Sequence, residues 1–477
     1  MRFLKYGLYT IVAIAALIGA LFALGMKVEL DGTGSRPMFS FHKADKHIEE
    51  IEKRAAEEAP AAPAERPAAE AIAPAPTATQ AETAAAETAP IPAAPWPSFY
   101  GPNRDGHYTA TPILTSWPGQ GLREEWRRPV GGGYASMVVA EGLVFTIEQR
   151  RGEEVAAAYD LSTGKQRWAS AWQGDFREAM GGPGPRATPT YDEGRLYVLG
   201  AEGEFRCLEA RTGRLLWRKN ILEDNGAQNL QWAMSAAPLV VDGKVIVLPG
   251  GSSGRSIVAY DKVTGSRAWG VLDDKAAYAA PIFATLAGVP QILALTADRA
   301  VGLAIADGKL LWETPWKTSY DVNSAMPVIT GPSRFVLTSG YGTGAKLVEI
   351  TREGDRFQAR DLWSSQSMKA KFNNVVLHEG VIYGLDEGIL AAMDVATGKR
   401  LWKGGRYGYG QLLLAQGHLV VSTEQGEVVL VKANPAKHEE IARFGALDGK
   451  TWNVPAMADG RLLVRNTTEM ACYRIAP

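Results

Sequence analysis

Cysteine is scarce: Cys207 and Cys472 are the only two in 477 residues. That excludes a disulfide framework and a four-cysteine zinc site. No Cys-x-x-Cys-His occurs, so a covalent c-type haem is excluded too. The histidines (His42, His47, His107, His378, His418 and His438) are scattered and show no zinc spacing. Charge of one sign is not in excess either. The formal net charge is -1, so no basic field points to nucleic acid as a partner. No Gly-rich loop ends in Lys-Ser/Thr to hold a phosphate. The sequence predicts no metal ligands and no catalytic residues.

What is present is distributed unevenly. Residues 1–30 are mainly apolar, 31–95 are rich in Ala, Pro and Glu, and 96–477 have globular proportions. Arg2 and Lys5 precede an apolar run from Tyr6 to Met26. Its length matches the ~20 residues that span a bilayer core. It reads as a transmembrane anchor, with a cleaved signal peptide as the alternative. Positive residues before the run place the amino terminus in the cytoplasm. This predicts a single-pass protein of a bacterial inner membrane, with the folded part in the periplasm or outside the cell. No cysteine follows the run, which excludes lipoprotein processing. Residues 43–58 predict a short charged helix. Residues 59–95 hold too few large apolar groups to offset ordering entropy, and they predict a disordered, semi-extended spacer.

The region 96–477 is larger than one core usually supports, so a repeat is expected. One pattern returns every ~40–50 residues. A short apolar strand is followed by Asp or a substitute, then Thr-Gly or Asp-Gly, then Trp. It ends at Trp168, Trp217, Trp269, Trp312 and Trp402, in a lengthened form at Trp363, and in a degenerate form at Phe444. The Gly supplies the positive φ of a tight hairpin. Upstream of each pattern lie two more strands joined by Asp-Gly, Glu-Gly or Gln-Gly, as in APLVVDGKVIVLPG and NVVLHEGVIYGL. Each unit therefore carries four antiparallel strands, one propeller blade. The Trp falls on the outermost strand, where a large flat side chain can cover the seam to the next blade.

Those are seven blades, and an eighth is split. The carboxyl end, WNVPAMADGRLLVRNTTEMACYRI, supplies three strands but no fourth with a Trp. An orphan strand, LREEWRRPV with Trp126, stands before blade 1. Pairing it with the last blade closes the ring and leaves no sheet edge open. The predicted fold is all-β, an eight-bladed propeller of four-stranded blades closed by this amino-proximal strand.

The repeated A-x-D-x-x-T-G-x-x-x-W pattern resembles the pyrroloquinoline-quinone (PQQ) propeller-repeat superfamily. That superfamily includes quinoprotein alcohol dehydrogenases and the outer-membrane assembly lipoproteins. The segment WPSFYGPNRDGHY (Trp96 to Tyr108) resembles the start of a bacterial propeller subgroup. The resemblance implies an envelope scaffold that binds proteins or peptides. It also implies an alternative, a periplasmic PQQ-dependent dehydrogenase of alcohols or sugars, with PQQ as its cofactor. Such enzymes commonly carry adjacent cysteines and a Glu/Asn/Asp calcium set, and neither is found in this sequence.

In a propeller, the loops from each outer strand to the next inner strand converge on one mouth of the axial tunnel. The residues read off at those positions include Tyr134, Arg186, Trp232, Tyr278, Asn323, Asn374, Tyr409, Trp452 and Asn453, with Lys371 nearby. Arg186, Trp232, Asn323, Asn374, Trp452 and Asn453 are the candidate ring for a planar or anionic ligand. The competing role for these polar groups is to satisfy loop carbonyls.

Overall fold

The computed structural model describes residues 2–41, 46–58 and 95–477, with residues 2–10 and 40–41 by backbone alone. Eight antiparallel sheets form blades over 138–173, 190–220, 239–271, 282–315, 328–365, 376–406, 411–445 and 456–474. In each, the strands follow chain order from the axis outward. The fourth strand of blade 8 comes from residues Arg123–Pro129, which pair with the last strand of the chain and set Trp126 opposite Cys472. The inner strand of blade 8 touches that of blade 1, so the ring is closed.

Each blade owes its shape to one irregularity. The register between third and fourth strands shifts in every blade, as at Ala158/Tyr159, Cys207/Leu208, Ala259/Tyr260 and Cys472/Tyr473, and twice in blade 6. A bulge adds a residue to the outer strand and re-aims its neighbour. The re-aimed residue is the repeat tryptophan: Ala158 pairs with Trp168, Cys207 with Trp217 and Ala259 with Trp269. In blade 7 the shift falls opposite Ala442, and Phe444 stands one pleat further along.

The re-aimed indoles lock neighbouring blades. Their Nε1–H groups donate to a carbonyl at the turn of the next blade: Trp126 to Leu161 at 2.9 Å, Trp168 to Ala210 at 2.9 Å, Trp363 to Val395 at 2.9 Å and Trp402 to Asn434 at 2.7 Å. The rings lie flat against the turn glycine. A Cβ on Gly164 would come within 2.6 Å of Trp126, and one on Gly213 within 2.5 Å of Trp168. Each of these glycines also has a positive φ, 68° and 73°. The aspartate of the repeat secures the same turn. Asp160 accepts from the backbone N–H groups of Ser162 and Thr163, both at 3.0 Å, and Asp261 from that of Thr264 at 2.7 Å. Trp312 departs from the pattern and donates within its own blade, to Gln291 at 2.5 Å. Phe444 has no N–H to give. Its seam is covered by Trp117, edge-on at 5.6 Å, and by Gly121, where any Cβ would overlap the Phe444 ring.

The segment before the ring is not uniform spacer. A helix α1 (Arg2–Ala23) leads into strands β1 (Met26–Leu30) and β2 (Pro37–Phe41), which pair as a hairpin. A second helix, α2 (Lys46–Glu58), occupies most of the stretch expected to be helical. It packs on the closing strand 123–129 and buries Ile48 and Ile51. Glu58 pairs with Arg128, and Glu52 pairs with Arg151 at 2.7 Å. The disordered spacer expected over 59–95 lies, except for Pro95, outside the described residues.

The membrane span expected in residues 1–30 is not supported. Among the described residues no helix is long and apolar enough to cross a membrane.

Two outcomes follow from the seams and the closure. Gly213→Ala and Gly142→Ala both place a side chain at positive φ, but a Cβ on Gly142 meets nothing within 4 Å. Gly142→Ala should cost ~1–2 kcal/mol of backbone strain. Gly213→Ala should cost at least ~2 kcal/mol more, because the Trp168 ring must move. Urea midpoints of the two variants check this. Deleting 96–130 removes the closing strand and should lower the melting temperature steeply, whereas deleting 59–90 leaves that strand in place and should not. Equal melting temperatures would contradict closure by that strand.

Candidate functional site

Every blade sends a loop residue to one mouth of the axial tunnel. Tyr134, Arg186, Trp232, Tyr278, Ser324, Asn374, Gln411 and Trp452 line it, one from the approach to each inner strand, together with Tyr341, Lys371 and Phe372. The strand direction enforces this, because each inner strand starts at this mouth and runs away from it. The space in the mouth, including its solvent-open part, is about 1120 Å³. Its wall is largely aromatic. Tyr134 and Trp452 have ring centroids 5.3 Å apart, Phe372 and Trp452 4.8 Å, and Phe372 and Tyr409 5.4 Å.

The candidate ring divides in two. Arg186, Trp232, Asn374 and Trp452 line the mouth. Asn323 and Asn453 are buried behind it and serve the loops. The Asn323 amide donates to the carbonyls of Thr296 and Trp316, both at 2.8 Å. That of Asn453 donates to Gly133 at 3.2 Å and Ala135 at 2.9 Å. Asn374 accepts from the Met326 N–H at 2.8 Å and ties blade 5 to blade 6. Arg186 is also engaged. It donates to the carbonyls of Gly184 and Gly182 and pairs with Glu178 at 3.3 Å. Gly184 lets the backbones approach, since a Cβ there would sit 2.5 Å from the Gly132 carbonyl. Burial lowers the Arg186 pKa, and the guanidinium lies over the Phe176 ring at 4.7 Å.

Two side chains that hold the mouth together escape reading by loop position. Glu424 follows the second strand of blade 7 and is 2% exposed. Its carboxylate accepts from Trp452 Nε1 at 2.8 Å and the Tyr409 N–H at 3.2 Å. Lys450 lies beneath Trp452, with its ammonium 4.4 Å from the ring centroid, and pairs with Glu29 of β1 at 3.6 Å. Burial lowers its pKa. Neither position carries a repeat signature, and the Glu29 partner comes from residues 1–30, which the sequence reads as an anchor.

The turn that follows Glu29 reaches the mouth. The turn between β1 and β2 brings Asp31 and Gly32 into the cavity wall. The Gly32 N–H donates to Glu424 at 2.6 Å, and Lys371 Nζ donates to the Gly32 carbonyl at 2.6 Å. The far end of the tunnel is plugged as well, by the Trp96–Tyr108 segment. Trp96 exchanges backbone hydrogen bonds with Val139 of blade 1, and Tyr100 donates to the Leu412 carbonyl of blade 7 at 2.7 Å. Residues His107–Tyr108 add a parallel strand to blade 7. Arg104, at φ 56°, donates to the carbonyls of Ala237, Pro238 and Pro281 and to Thr190 Oγ1. Burial lowers its pKa to about 9. The motif that resembled a family start is therefore an axial plug.

The mouth offers binding groups rather than a reactive set. The Tyr134 hydroxyl and Gln411 Oε1 are buried without a hydrogen-bond partner. Burial raises the Tyr134 pKa far above the ordinary phenol range. Among the described residues no three His, Cys, Asp or Glu converge to hold a metal ion. Cys207 and Cys472 are free and buried, and burial pushes both thiols up to about 12. The quinone and its cation, as the resemblance would bring them, do not fit this donor set. Arg186, Lys371 and Lys450 are already engaged by protein groups.

The family described as outer membrane protein assembly factor BamB matches residues 151–404, more than half of the chain. A curated relative, the outer membrane protein assembly factor BamB of Burkholderia pseudomallei, is 26% identical over 316 residues, 63% of this chain and 74% of that protein. The quinohemoprotein alcohol dehydrogenase ADH-IIG of Pseudomonas putida is 28% identical over 141 residues, 28% of this chain and only 19% of that enzyme. Two solved structures share the fold. BamB from Moraxella catarrhalis has a TM-score of 0.53 at 16% identity, covering 74% of this chain and 98% of that one. Quinohemoprotein alcohol dehydrogenase from Comamonas testosteroni has 0.55 at 14% identity, covering 79% and 80%. The Trp-locked blades, the closure by residues 123–129 and the match over 151–404 together establish that this chain belongs to the PQQ-like β-propeller family of outer membrane protein assembly factor BamB.

Proposed function

We propose that this chain is a cell-envelope scaffold whose axial mouth binds protein partners through their peptide backbone. The observation that carries the reading is the grip on Gly32: Glu424 takes its N–H and Lys371 its carbonyl. A site built to hold both ends of one residue's backbone suits a peptide better than a planar cofactor. The family match supports an envelope setting. Attachment to a membrane through α1 is part of the proposal. Its support is the exposed apolar set Ile11, Val12, Ile14, Leu17, Ile18 and Phe22, which water solvates poorly. The chain then reaches partners from the membrane surface, with the propeller outside the cytoplasm.

A photo-crosslinking residue tests the reading. Tyr320 is 67% exposed and its ring lies 5.9 Å from that of Tyr341 at the mouth, while Val263, 50% exposed, lies on a turn of blade 3. In cells, benzoylphenylalanine at Tyr320 should give adducts with envelope polypeptides, and the same residue at Val263 should give none of the same mass. Absence of adducts from Tyr320, with saturable one-to-one binding of PQQ plus calcium by the purified chain, would replace the scaffold with an oxidoreductase.

A further inference from the structure

The contact between Gly32 and blades 6 and 7 is closer than the docking of a surface hairpin requires. Gly32 is buried, and its φ lies outside the left-handed region, so no backbone angle demands glycine there. The demand comes from contact. A Cβ on Gly32 would overlap Tyr409 at its Cβ and at the Cγ and Cδ2 atoms of its ring. Tyr409 itself is held by the Glu424 carboxylate that also takes the Gly32 N–H. The site thus excludes every side chain at this position and satisfies the backbone on both sides.

The flanking residues match in charge. Lys371 Nζ reaches the Gly32 carbonyl and stands 4.9 Å from the ring centroids of both Tyr341 and Tyr409. Asp31 lies beside that ammonium and draws on it electrostatically, and Glu29 pairs with Lys450. Asp31 also organises the turn from within. Its carboxylate accepts from the Thr33 N–H at 3.0 Å and the Arg36 N–H at 3.3 Å. The Gly34 N–H returns to the Asp31 carbonyl at 2.8 Å. The occupant is therefore a preorganised hairpin tip, acidic on its approach and bare at its apex.

We propose that the axial mouth is a receptor for an acidic Asp-Gly β-hairpin tip. Residues 29–34 are its resident occupant, and the tip of a partner's hairpin with the same chemistry takes their place. This deepens the scaffold reading and rests on it for the existence of such a partner. The mouth reads three features: an acidic residue, a following residue without a side chain, and a free N–H and C=O on that residue. Displacement of one hairpin by another requires no change in the ring, which the Trp seams hold fixed.

The test uses the full chain in detergent and a labelled, backbone-cyclised peptide of sequence 26–41. In the Gly32→Val chain the resident tip cannot seat. The opened mouth is then read independently by acylation of Lys371, whose Nζ is otherwise engaged by the Gly32 carbonyl. Lys371 should acylate faster in Gly32→Val than in the natural chain. The peptide should bind Gly32→Val at least tenfold more tightly than the natural chain by fluorescence anisotropy. A peptide carrying Gly32→Val should not bind, and Lys371→Ala or Glu424→Ala added to the Gly32→Val chain should weaken binding at least tenfold. Equal acylation in the two chains would overturn the proposal, as would equal binding of the two peptides or no binding to a chain whose Lys371 is shown to be uncovered. Any of these leaves adducts from Tyr320 unaffected, and loss of those adducts leaves peptide binding unaffected, so the two readings fail separately.

Discussion

The indole of one blade lies against a glycine of the next, and much else in the molecule depends on that contact. The glycine position has two requirements that only glycine meets together, a positive φ and an empty space over its Cα. Gly164, Gly213, Gly265, Gly308 and Gly398 all satisfy both, against Trp126, Trp168, Trp217, Trp269 and Trp363. The bulge in the outer strand turns the indole into this space, and its Nε1–H closes on the neighbouring turn. An indole buries ~150–250 Å², so repeated contacts of this kind sum to a large share of the cohesion between blades. Sheets that are each marginal alone are thereby held as one ring.

A ring locked at its outer seams can leave its axis to loops. Inner strands need not pack face to face across the tunnel, and the space is filled by chain from elsewhere. The Trp96–Tyr108 segment enters from one end and uses Arg104 to satisfy carbonyls before the inner strands of blades 3 and 4 and the Thr190 hydroxyl of blade 2. A guanidinium suits that task because its fork of donors reaches several acceptors at once. The burial that lowers its pKa is offset by those hydrogen bonds. The β1–β2 tip enters from the other end and is held by a carboxylate and an ammonium acting on backbone groups.

What was legible in the sequence follows from this division. The blades were legible because their chemistry is local and repeated: Asp, Thr-Gly and Trp lie within about a dozen residues of one another, a spacing fixed by hairpin geometry. Closure by Trp126 was legible because the last blade lacks the one element that LREEWRRPV supplies. The convergence of Arg186, Trp232, Asn374 and Trp452 on one mouth followed from loop position alone. Loop position does not say which way a side chain turns, and Asn323 and Asn453 turn back to their own loops. The hairpin was not read, although MKVEL alternates apolar and charged residues, because that short run continues directly from the apolar segment and its partners, Lys371, Glu424 and Lys450, lie over three hundred residues away. The role of Arg104 was hidden for the same reason.

The occupied axis also bears on how one fold serves both binding and catalysis. A redox cofactor on the axis needs the cations and aromatic faces of the mouth for itself, with a cation site beside it. Here Lys371 and Lys450 face the hairpin and Arg186 faces its own glycine-rich loop. Glu424 accepts one hydrogen bond from an indole and two from backbone N–H groups. Each of these charges is matched to a peptide group or to a fixed side chain. Buried charges are tolerated only where such partners exist, and any molecule that replaces the hairpin must supply the same ones. That constraint, more than the shape of the cavity, defines what the mouth can accept.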